Sequence, residues 1–419
     1  MQRGVLVLAI LATLCLFGEL LGGISFFFQT GGFIYLPRES VRAAEFRTPA
    51  KYKQRLHPYF GFTGQYFSDG GQYFSDSDEL YTNSLGFRQR ESLEIPVTRG
   101  TTDFVVVVLG GSVAEHVAVG PYGFTLRDKL RTLPSLAGKN IILINMAQGS
   151  GKQPQQLFEL AYLLAIGQKI DLVINIDGFN EFALAYQNHT AGLNPVLPSV
   201  QIIKPLALEL SPGPEAAQYY DLASRILTTK QAVNEHATSL RQARTGLSFL
   251  KASILVNWNR MTLAKSISEY ESLIVRERDW SIIKARFGLD LPNSGNVFET
   301  AFELWLRCSQ QIKKLSETNG TAYLHVIQPN QYHSKHQFSD HERKIAFLPG
   351  HEYRVGVEGG YPLFVERKLL LEANGIVSAI DLFDSETEEV YSDNCCHYTR
   401  KGLNLFMRFI VDNVEGRLH

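Results

Sequence analysis

The sequence has few cysteines and no excess of either charge, and both features restrict the function of the chain. It holds 4 cysteines in 419 residues and no Cys-x-x-Cys pair, a spacing typical of zinc and redox sites. Its formal net charge is -1, and no basic cluster is interleaved with aromatic residues. The composition therefore indicates neither a zinc site nor nucleic-acid binding.

The cysteines are unevenly distributed along the chain. Cys15 lies in an apolar N-terminal stretch, whereas Cys308, Cys395 and Cys396 lie in the body. An extracytoplasmic location would permit a disulfide between Cys308 and one member of the adjacent pair. A bond within the adjacent pair would be strained, so it is the weaker expectation.

One long hydrophobic run is present, and it lies at the N-terminus. Residues 4–18 carry no charge, and after Glu19 the apolar run continues over residues 20–28. This length is close to the ~20 residues that cross a bilayer, and no small-x-small cleavage site follows it. We therefore predict a retained membrane anchor within residues 1–31; cleavage would instead give a secreted protein. Arg3 favours an inside N-terminus and an extracytoplasmic body.

From residue 103 onward, apolar strands alternate with amphipathic helices. The first strand, 103–109, contains four consecutive valines and a leucine, which is typical of a parallel strand buried on both faces. This alternation, with its short links, predicts an α/β protein with a doubly wound parallel sheet. Further strands are predicted at 140–146, 171–177, 322–327 and 376–382. Helices are predicted at about 124–133, 154–166, 297–318, 363–373 and 401–414.

Two segments interrupt the α/β pattern. Residues 32–100 contain polar and aromatic stretches and are predicted to be a linker and lead-in. Residues 188–295 begin with a proline-rich, irregular stretch and then become mostly helical. We interpret this segment as a helical insertion that either covers a site or binds a partner. The rest of 101–419 forms the predicted α/β domain.

Four polar segments occur where predicted strands end or just before the closing helix. Because the carboxyl ends of parallel strands share one edge of a sheet, their side chains are expected to converge. They offer a serine hydroxyl, backbone N–H donors, an amide, an imidazole and a carboxylate, which are the components of acyl transfer. The segments are Gly110-Gly111-Ser112, Asn145–Gly149, Asp177–Glu181 and Asp393–His397.

Each of these residues also has a simpler interpretation when it is taken alone. Ser112 fits a turn with a helix cap, Asn180 fits a helix cap, and His397 fits an ordinary interfacial histidine. Their order along the chain and their positions at strand ends favour a common site. Glu115 and His116 follow Ser112 closely and are interpreted as residues that line the cleft.

In this order the segments resemble the SGNH (GDSL-like) hydrolase family, which is named after serine, glycine, asparagine and histidine in four separate blocks. Ser112 corresponds to the nucleophile, Gly149 to the block-two glycine, Asn180 to the asparagine of Gly-x-Asn-Asp, and His397 to the base. The resemblance covers residues from about 103 to the C-terminus, apart from the insertion. It implies a flavodoxin-like three-layer α/β/α fold and an oxyanion hole formed by Ser112, Gly149 and Asn180.

Three details depart from the family pattern. Gly-Gly-Ser replaces the commoner Gly-Asp-Ser, and a glutamate ends the Gly-x-Asn block. The family usually spaces its acid and base as Asp-x-x-His, whereas Asp393 here lies one residue further from His397 and Asn394 occupies the usual position. Asp393 is the preferred partner because a carboxylate stabilises an imidazolium better than an amide does. Gly151 is an alternative to Gly149.

The resemblance, together with the N-terminal apolar run, suggests a membrane-anchored serine esterase that acts on an ester-bearing small molecule or carbohydrate, such as O-acetyl groups of the cell envelope. An O-acyltransferase would use the same acyl-enzyme. A non-catalytic domain that binds a glycan or a protein is the alternative from a different class. The favoured chemistry needs no cofactor, and without a metal cluster or phosphate clamp in the sequence a phosphodiesterase is not favoured.

Overall fold

The computed structural model describes residues 2–30, 33–35, 54–64, 73–74, 79–203, 214–276, 295–347 and 351–418. By their contacts, residues fall into two compact units. The helical unit comprises residues 1–49 and 207–278, and the sheet unit comprises residues 50–206 and 279–419. The helical unit thus contains the N-terminal run together with the middle of the segment predicted as an insertion.

The strands of the sheet unit form short antiparallel ribbons before residue 100 and a parallel sheet after it. The ribbon strands are β1 (Gln54–His57), β2 (Gly61–Gly64), β3 (Tyr73–Phe74), β4 (Glu79–Thr82) and β5 (Arg88–Gln89). The sheet strands are β6 (Asp103–Gly110), β7 (Asn140–Asn145), β8 (Leu172–Asp177), β9 (Ala322–Ile327) and β10 (Ile376–Ser378). Their order is β10-β9-β8-β6-β7, and all neighbours are parallel. The prediction of an α/β chain with a parallel sheet is confirmed.

The helices are distributed over both units. The helical unit contains α1 (Gln2–Thr30), α6 (Pro214–Gln242) and α7 (Gly246–Arg276). The sheet unit contains α2 (Ser112–Val119), α3 (Leu126–Leu130), α4 (Gln155–Ala165), α5 (Phe179–Thr190), α8 (Val297–Thr318), α9 (Asp340–Ala346), α10 (Glu352–Glu366), α11 (Lys368–Ala373) and α12 (Arg400–Glu415).

Strand β6 lies inside the sheet and has a core on each face. Val106 and Val108 enter one apolar cluster, whereas Val105, Val107 and Leu109 enter another. All five side chains are fully buried. The continuous apolar run therefore reflects burial on both faces, because successive side chains of a strand point to opposite sides.

Helices α2, α5 and α9 were not predicted, and the strand predicted at 376–382 ends at Ser378. The differences at α2 and α10 have local chemical causes. Helix α2 begins directly at Ser112, and its valines gave only a weak helical signal because β-branched residues have low helix propensity. Helix α10 begins at Glu352, eleven residues before the predicted start at 363. Glycines lower the helical signal of α10, yet a Cβ at Gly360 would lie 2.0 Å from the ring of Phe182. The glycine is needed there for close packing.

The segment predicted as linker is structured where it is described. Asn83 donates a hydrogen bond from its amide to the carbonyl oxygen of Asn145, at 2.8 Å, and Gln89 donates to the carbonyl oxygen of Leu143. Phe60 and Phe87 are fully buried in one of the two cores of the sheet. The aromatic lead-in therefore packs against the sheet unit.

Helix α1 contains one segment, Ala12–Gln29, that is long and apolar enough to cross a membrane by length and composition. The part of the predicted insertion that was expected to be mostly helical contains α6 and α7, which are separated by a short break after Gln242. The apolar cluster of the helical unit combines residues of α1, α6 and α7 with Ile34 and Ala243, which lie just outside these helices. These residues are Phe26, Ile34, Ala237, Leu240, Ala243, Phe249, Ala252 and Val256.

Candidate active site

Ser112 lies at the carboxyl edge of the sheet, immediately after β6. Gly110 adopts a φ of 142°, and a Cβ there would lie 2.0 Å from the carbonyl oxygen of Ile176, so this position requires glycine. The chain then enters α2 with Ser112 as its first residue. A backbone N–H in the first turn of a helix has no intrahelical acceptor, so that of Ser112 is available to a bound group.

His397 contacts both the serine and a carboxylate. Its Nε2 lies 2.7 Å from the Oγ of Ser112, and its Nδ1 lies 2.5 Å from an Oδ of Asp393. With Nδ1 protonated, the ring donates to Asp393 and presents the Nε2 lone pair to the serine hydroxyl. We call Ser112, His397 and Asp393 the edge array.

The turn between Asp393 and His397 accommodates the additional residue. The second carboxylate oxygen of Asp393 accepts the N–H of Cys395 at 2.8 Å and the N–H of His397 at 3.2 Å. Cys396 adopts a left-handed φ of 63°, which closes the turn. As a result Asp393, and not Asn394, lies against the imidazole.

The edge array is partly open to solvent. The side chain of His397 is 20% exposed and that of Asp393 is 40% exposed. Burial alone would raise the pKa of Asp393, but the hydrogen bond and charge of His397 and the two backbone N–H groups together hold it below its ordinary value. Asp393 is therefore a carboxylate near neutral pH.

Asn180 lies beside the serine, on the first turn of α5. Its amide nitrogen donates to the carbonyl oxygen of Gly151 at 2.8 Å, which uses one of its two hydrogens. A Cβ at Gly111 would lie 2.4 Å from this nitrogen, so the amide lies directly against the backbone that precedes Ser112. The second amide hydrogen can serve a bound oxyanion.

The two candidate glycines have other hydrogen-bond partners. The N–H of Gly149 donates to a carboxylate oxygen of Glu115 at 3.1 Å, and the N–H of Gly151 donates to the carbonyl oxygen of Gln148 at 3.0 Å. The other oxygen of Glu115 pairs with Arg88 at 2.7 Å. The predicted donor Gly149 is thus held by Glu115, whose proximity to Ser112 in sequence was the only available signal of this contact.

His116 packs against the catalytic candidate His397. Their ring centroids are 4.6 Å apart, with 33° between the ring planes. The pKa of His116 is lowered to about 3, mainly by burial and also by the charges of His397 and Arg88, with Asp393 opposing the shift. His116 therefore remains neutral and supports one side of the His397 ring.

Glu181 joins the loop that carries Gly151 to the loop that carries Asn180. Its carboxylate accepts the N–H of Gly178 at 2.8 Å and the N–H of Gln153 at 3.1 Å. The pKa of Glu181 is raised to about 8, mainly by burial and also by the charge of Asp177, with the backbone N–H groups opposing the shift. The glutamate that departs from the family's Gly-x-Asn-Asp pattern thus fixes both loops at the site.

A second serine–histidine–aspartate arrangement lies in the interior of the sheet unit. We call Ser309, His325 and Asp177 the core array. Nδ1 of His325 lies 2.7 Å from the Oγ of Ser309, and its Nε2 lies 2.7 Å from Asp177, which also accepts the indole N–H of Trp305. His325 is fully buried. The core array fixes the end of β8, just before Gly178 and Asn180.

The cysteines and the potential metal ligands add no further site. All four cysteines are free thiols, and Cys308 and Cys396 are buried. The disulfide that the sequence permits is not formed in this structure. In the described ranges, no three His, Cys, Asp or Glu side chains gather in a way that could hold a metal ion.

Two comparisons with known proteins found no match for this chain. No family model matches it, and no curated protein matches it. We therefore infer the function of the chain from the geometry of the edge array and its surroundings.

Proposed function

We propose that the protein is a serine esterase of the SGNH type. The observation that carries the proposal is the pair of contacts made by His397, 2.7 Å to Ser112 and 2.5 Å to Asp393. The five-stranded parallel sheet, with helices packed on it and the serine after a buried strand, supports a flavodoxin-like α/β/α domain. No single residue of the edge array would support this proposal alone.

In the proposed reaction, Nε2 of His397 removes the hydroxyl proton of Ser112 while Oγ attacks the ester carbonyl carbon. Asp393 holds the Nδ1 proton and stabilises the imidazolium. The tetrahedral intermediate collapses as His397 gives its proton to the leaving alcohol, which leaves an acyl-serine. Water, deprotonated by His397, then attacks the acyl carbon. The bond from the acyl carbon to Oγ breaks as His397 returns the proton to Oγ, which releases the acid and regenerates the serine.

The oxyanion of the intermediate requires preorganised donors. The N–H of Ser112 and the second amide hydrogen of Asn180 are the two donors that the geometry favours. Gly149 would become a third donor if the Glu115 carboxylate moved away from its N–H. The expected hole therefore has two fixed donors and one that Glu115 controls.

The proposed substrate is an ester-bearing small molecule or an O-acylated carbohydrate of the cell envelope. Helix α1 supports a membrane-anchored protein, and the proposed orientation places the catalytic domain outside the cytoplasm. If a sugar hydroxyl replaced water in the second step, the same acyl-enzyme would act as an O-acyltransferase.

The proposal is tested by hydrolysis of p-nitrophenyl acetate by the full chain in detergent micelles. We expect turnover by the wild type and its loss in Ser112→Ala, with circular dichroism to verify folding. Ser392→Ala changes a nearby serine outside the edge array and should retain activity. Undiminished turnover in Ser112→Ala would contradict the proposal.

A further inference from the structure

Helix α1 has two parts that differ in what surrounds them. Residues 12–17 are exposed on every side of the helix. From Gly18 onward one face is covered, with Gly22 and Phe26 buried, whereas Leu20 remains 66% exposed on the other face. The apolar helix thus enters a packed bundle partway along the segment that is long enough to cross a membrane.

The cover is provided by the beginning of α7. A Cβ at Gly22 would lie 1.7 Å from the carbonyl oxygen of Gly246, so the two backbones are in direct contact. One turn further along both helices, the rings of Phe26 and Phe249 meet edge to face at 5.1 Å. The two helices therefore run side by side in the same direction, and α7 begins at the level of Gly22.

Glu19 holds the N-terminus of α7 at this position along α1. Its two carboxylate oxygens accept the N–H of Gly246 at 2.8 Å and the N–H of Leu247 at 2.7 Å, and the hydroxyl of Tyr35 donates to it as well. A carboxylate is favourable at a helix N-terminus, where backbone N–H groups lack intrahelical partners. The acid that interrupts the hydrophobic run therefore holds the start of α7.

This contact places two arginines at the same depth. Arg241 and Arg244 lie in and beside the turn between α6 and α7, and both are exposed. By hydropathy, Glu19 lies near the middle of the spanning segment Ala12–Gln29. An exposed arginine is strongly disfavoured at the centre of a bilayer. The basic turn and a centred span are therefore incompatible.

We propose that α1 leaves the hydrocarbon at Gly18–Glu19 and that the α6–α7 turn, through Arg241 and Arg244, binds the phosphate headgroups of the bilayer surface. Residues 4–18 then span about 22 Å at ~1.5 Å per residue, which local thinning of the bilayer accommodates. The inference depends on α1 being a membrane helix and is independent of the proposed esterase activity.

The test measures depth with a fluorophore on single cysteines of the full chain. Cys395→Ser removes a partly exposed thiol, and the buried Cys308 and Cys396 stay in place. The probe is attached at Cys15 or, in a Cys15→Ala background, at Gln242→Cys or Met261→Cys. The protein is reconstituted in vesicles of phosphatidylcholine and phosphatidylglycerol that carry a nitroxide quencher on the headgroup or deep in the acyl chain.

We expect acyl-chain quenching at residue 15, headgroup quenching at residue 242 and neither at residue 261, about 22 Å further along α7. Replacing Arg241 and Arg244 by Gln should lower the headgroup quenching at 242 about twofold or more, since basic residues near the surface are attracted to anionic headgroups. The proposal would be overturned by acyl-chain quenching at residue 242, by a lack of headgroup quenching at residue 242, or by equal headgroup quenching at residues 242 and 261. No acyl-chain quenching at residue 15 would overturn the membrane assignment of α1 on which it depends.

Discussion

The edge array and the core array contain the same three residue types and have similar hydrogen-bond lengths. They differ in surroundings: the imidazole of the edge array is 20% exposed, whereas that of the core array is fully buried and its aspartate is 1% exposed. They also differ in connection, since the serine contacts Nε2 in the edge array and Nδ1 in the core array. The same three residue types therefore occur in two different environments, and we expect only the solvent-accessible serine to react.

The largest difference between the edge array and the core array is expected when their two histidines are replaced in the same way. His397→Gln should lower kcat/KM about 10⁴-fold or more, because it removes the base, with little change in stability. His325→Gln should instead lower the free energy of unfolding by about 2–4 kcal/mol and leave the activity of the folded enzyme within severalfold of wild type. Ester hydrolysis and denaturant titrations measure both effects. Equal losses of activity would remove the distinction between the arrays.

The next largest effect distinguishes Asp393 from Asn394, the two candidate hydrogen-bond partners of the His397 imidazole. Asp393→Asn should lower kcat about 10³–10⁴-fold because it favours the wrong tautomer and removes the charge opposite the imidazolium. Asn394→Ala should change kcat less than about threefold, since its side chain does not contact His397. Steady-state kinetics of both variants provide the measurement. The reverse order would assign the orienting role to Asn394.

A smaller loss is expected at the oxyanion donor. Asn180→Ala should lower kcat about 10²–10³-fold with a modest change in KM, because the amide acts on charge that develops in the transition state. Asn188→Ala is a control on the same helix, at a buried amide that binds the carbonyl oxygen of Leu197 instead. A change in KM alone for Asn180→Ala would show that the amide binds substrate rather than the oxyanion.

The smallest effect concerns the neutral histidine behind the base. His116 has a folded-state pKa of about 3 against an ordinary value of 6.5, so the unfolded chain binds a proton in this interval that the folded protein does not. Stability should therefore fall as the pH decreases from 6.5 towards 3. Between pH 7 and pH 5 the wild type should lose about 1–2 kcal/mol more than His116→Gln. Urea titrations measure the free energy of unfolding of both proteins at each pH. If it changed with pH equally in the wild type and in His116→Gln, the pKa of His116 would not be lowered by folding.

Much of the sheet could be predicted because strong local signals define it. The apolar run of β6, the closing helix and the stop after α8 are all encoded within short windows. Helix α2 and the start of α10 were missed, since valines in α2 and glycines in α10 conceal helices whose stability comes from packing.

The site could be predicted only at the level of its segments. Ser112 and His397 are separated by 285 positions, and their contact depends on the whole sheet. The left-handed φ of Cys396, which allows Asp393 to reach the ring, has no signal in the residue type. The bond from Gly149 to Glu115 likewise depends on two loops that only the fold brings together.

The division into units also lay beyond the sequence. The predicted insertion, 188–295, marked a change in composition, but only residues 207–278 of it belong with the N-terminal helix. The contact of Glu19 with the start of α7 joins residues more than two hundred positions apart. Hydropathy alone therefore could not locate the point at which α1 becomes part of a bundle.

The most direct test of an activated serine is labelling with a fluorophosphonate, followed by mass spectrometry of the modified peptide. We expect an adduct on Ser112 that is lost in Ser112→Ala and strongly reduced in His397→Gln. Ser309, with the same neighbours in the core, should remain unlabelled in all three proteins. A folded wild type without an adduct on Ser112, or with an adduct on Ser309 instead, would contradict the proposal that His397 and Asp393 activate Ser112.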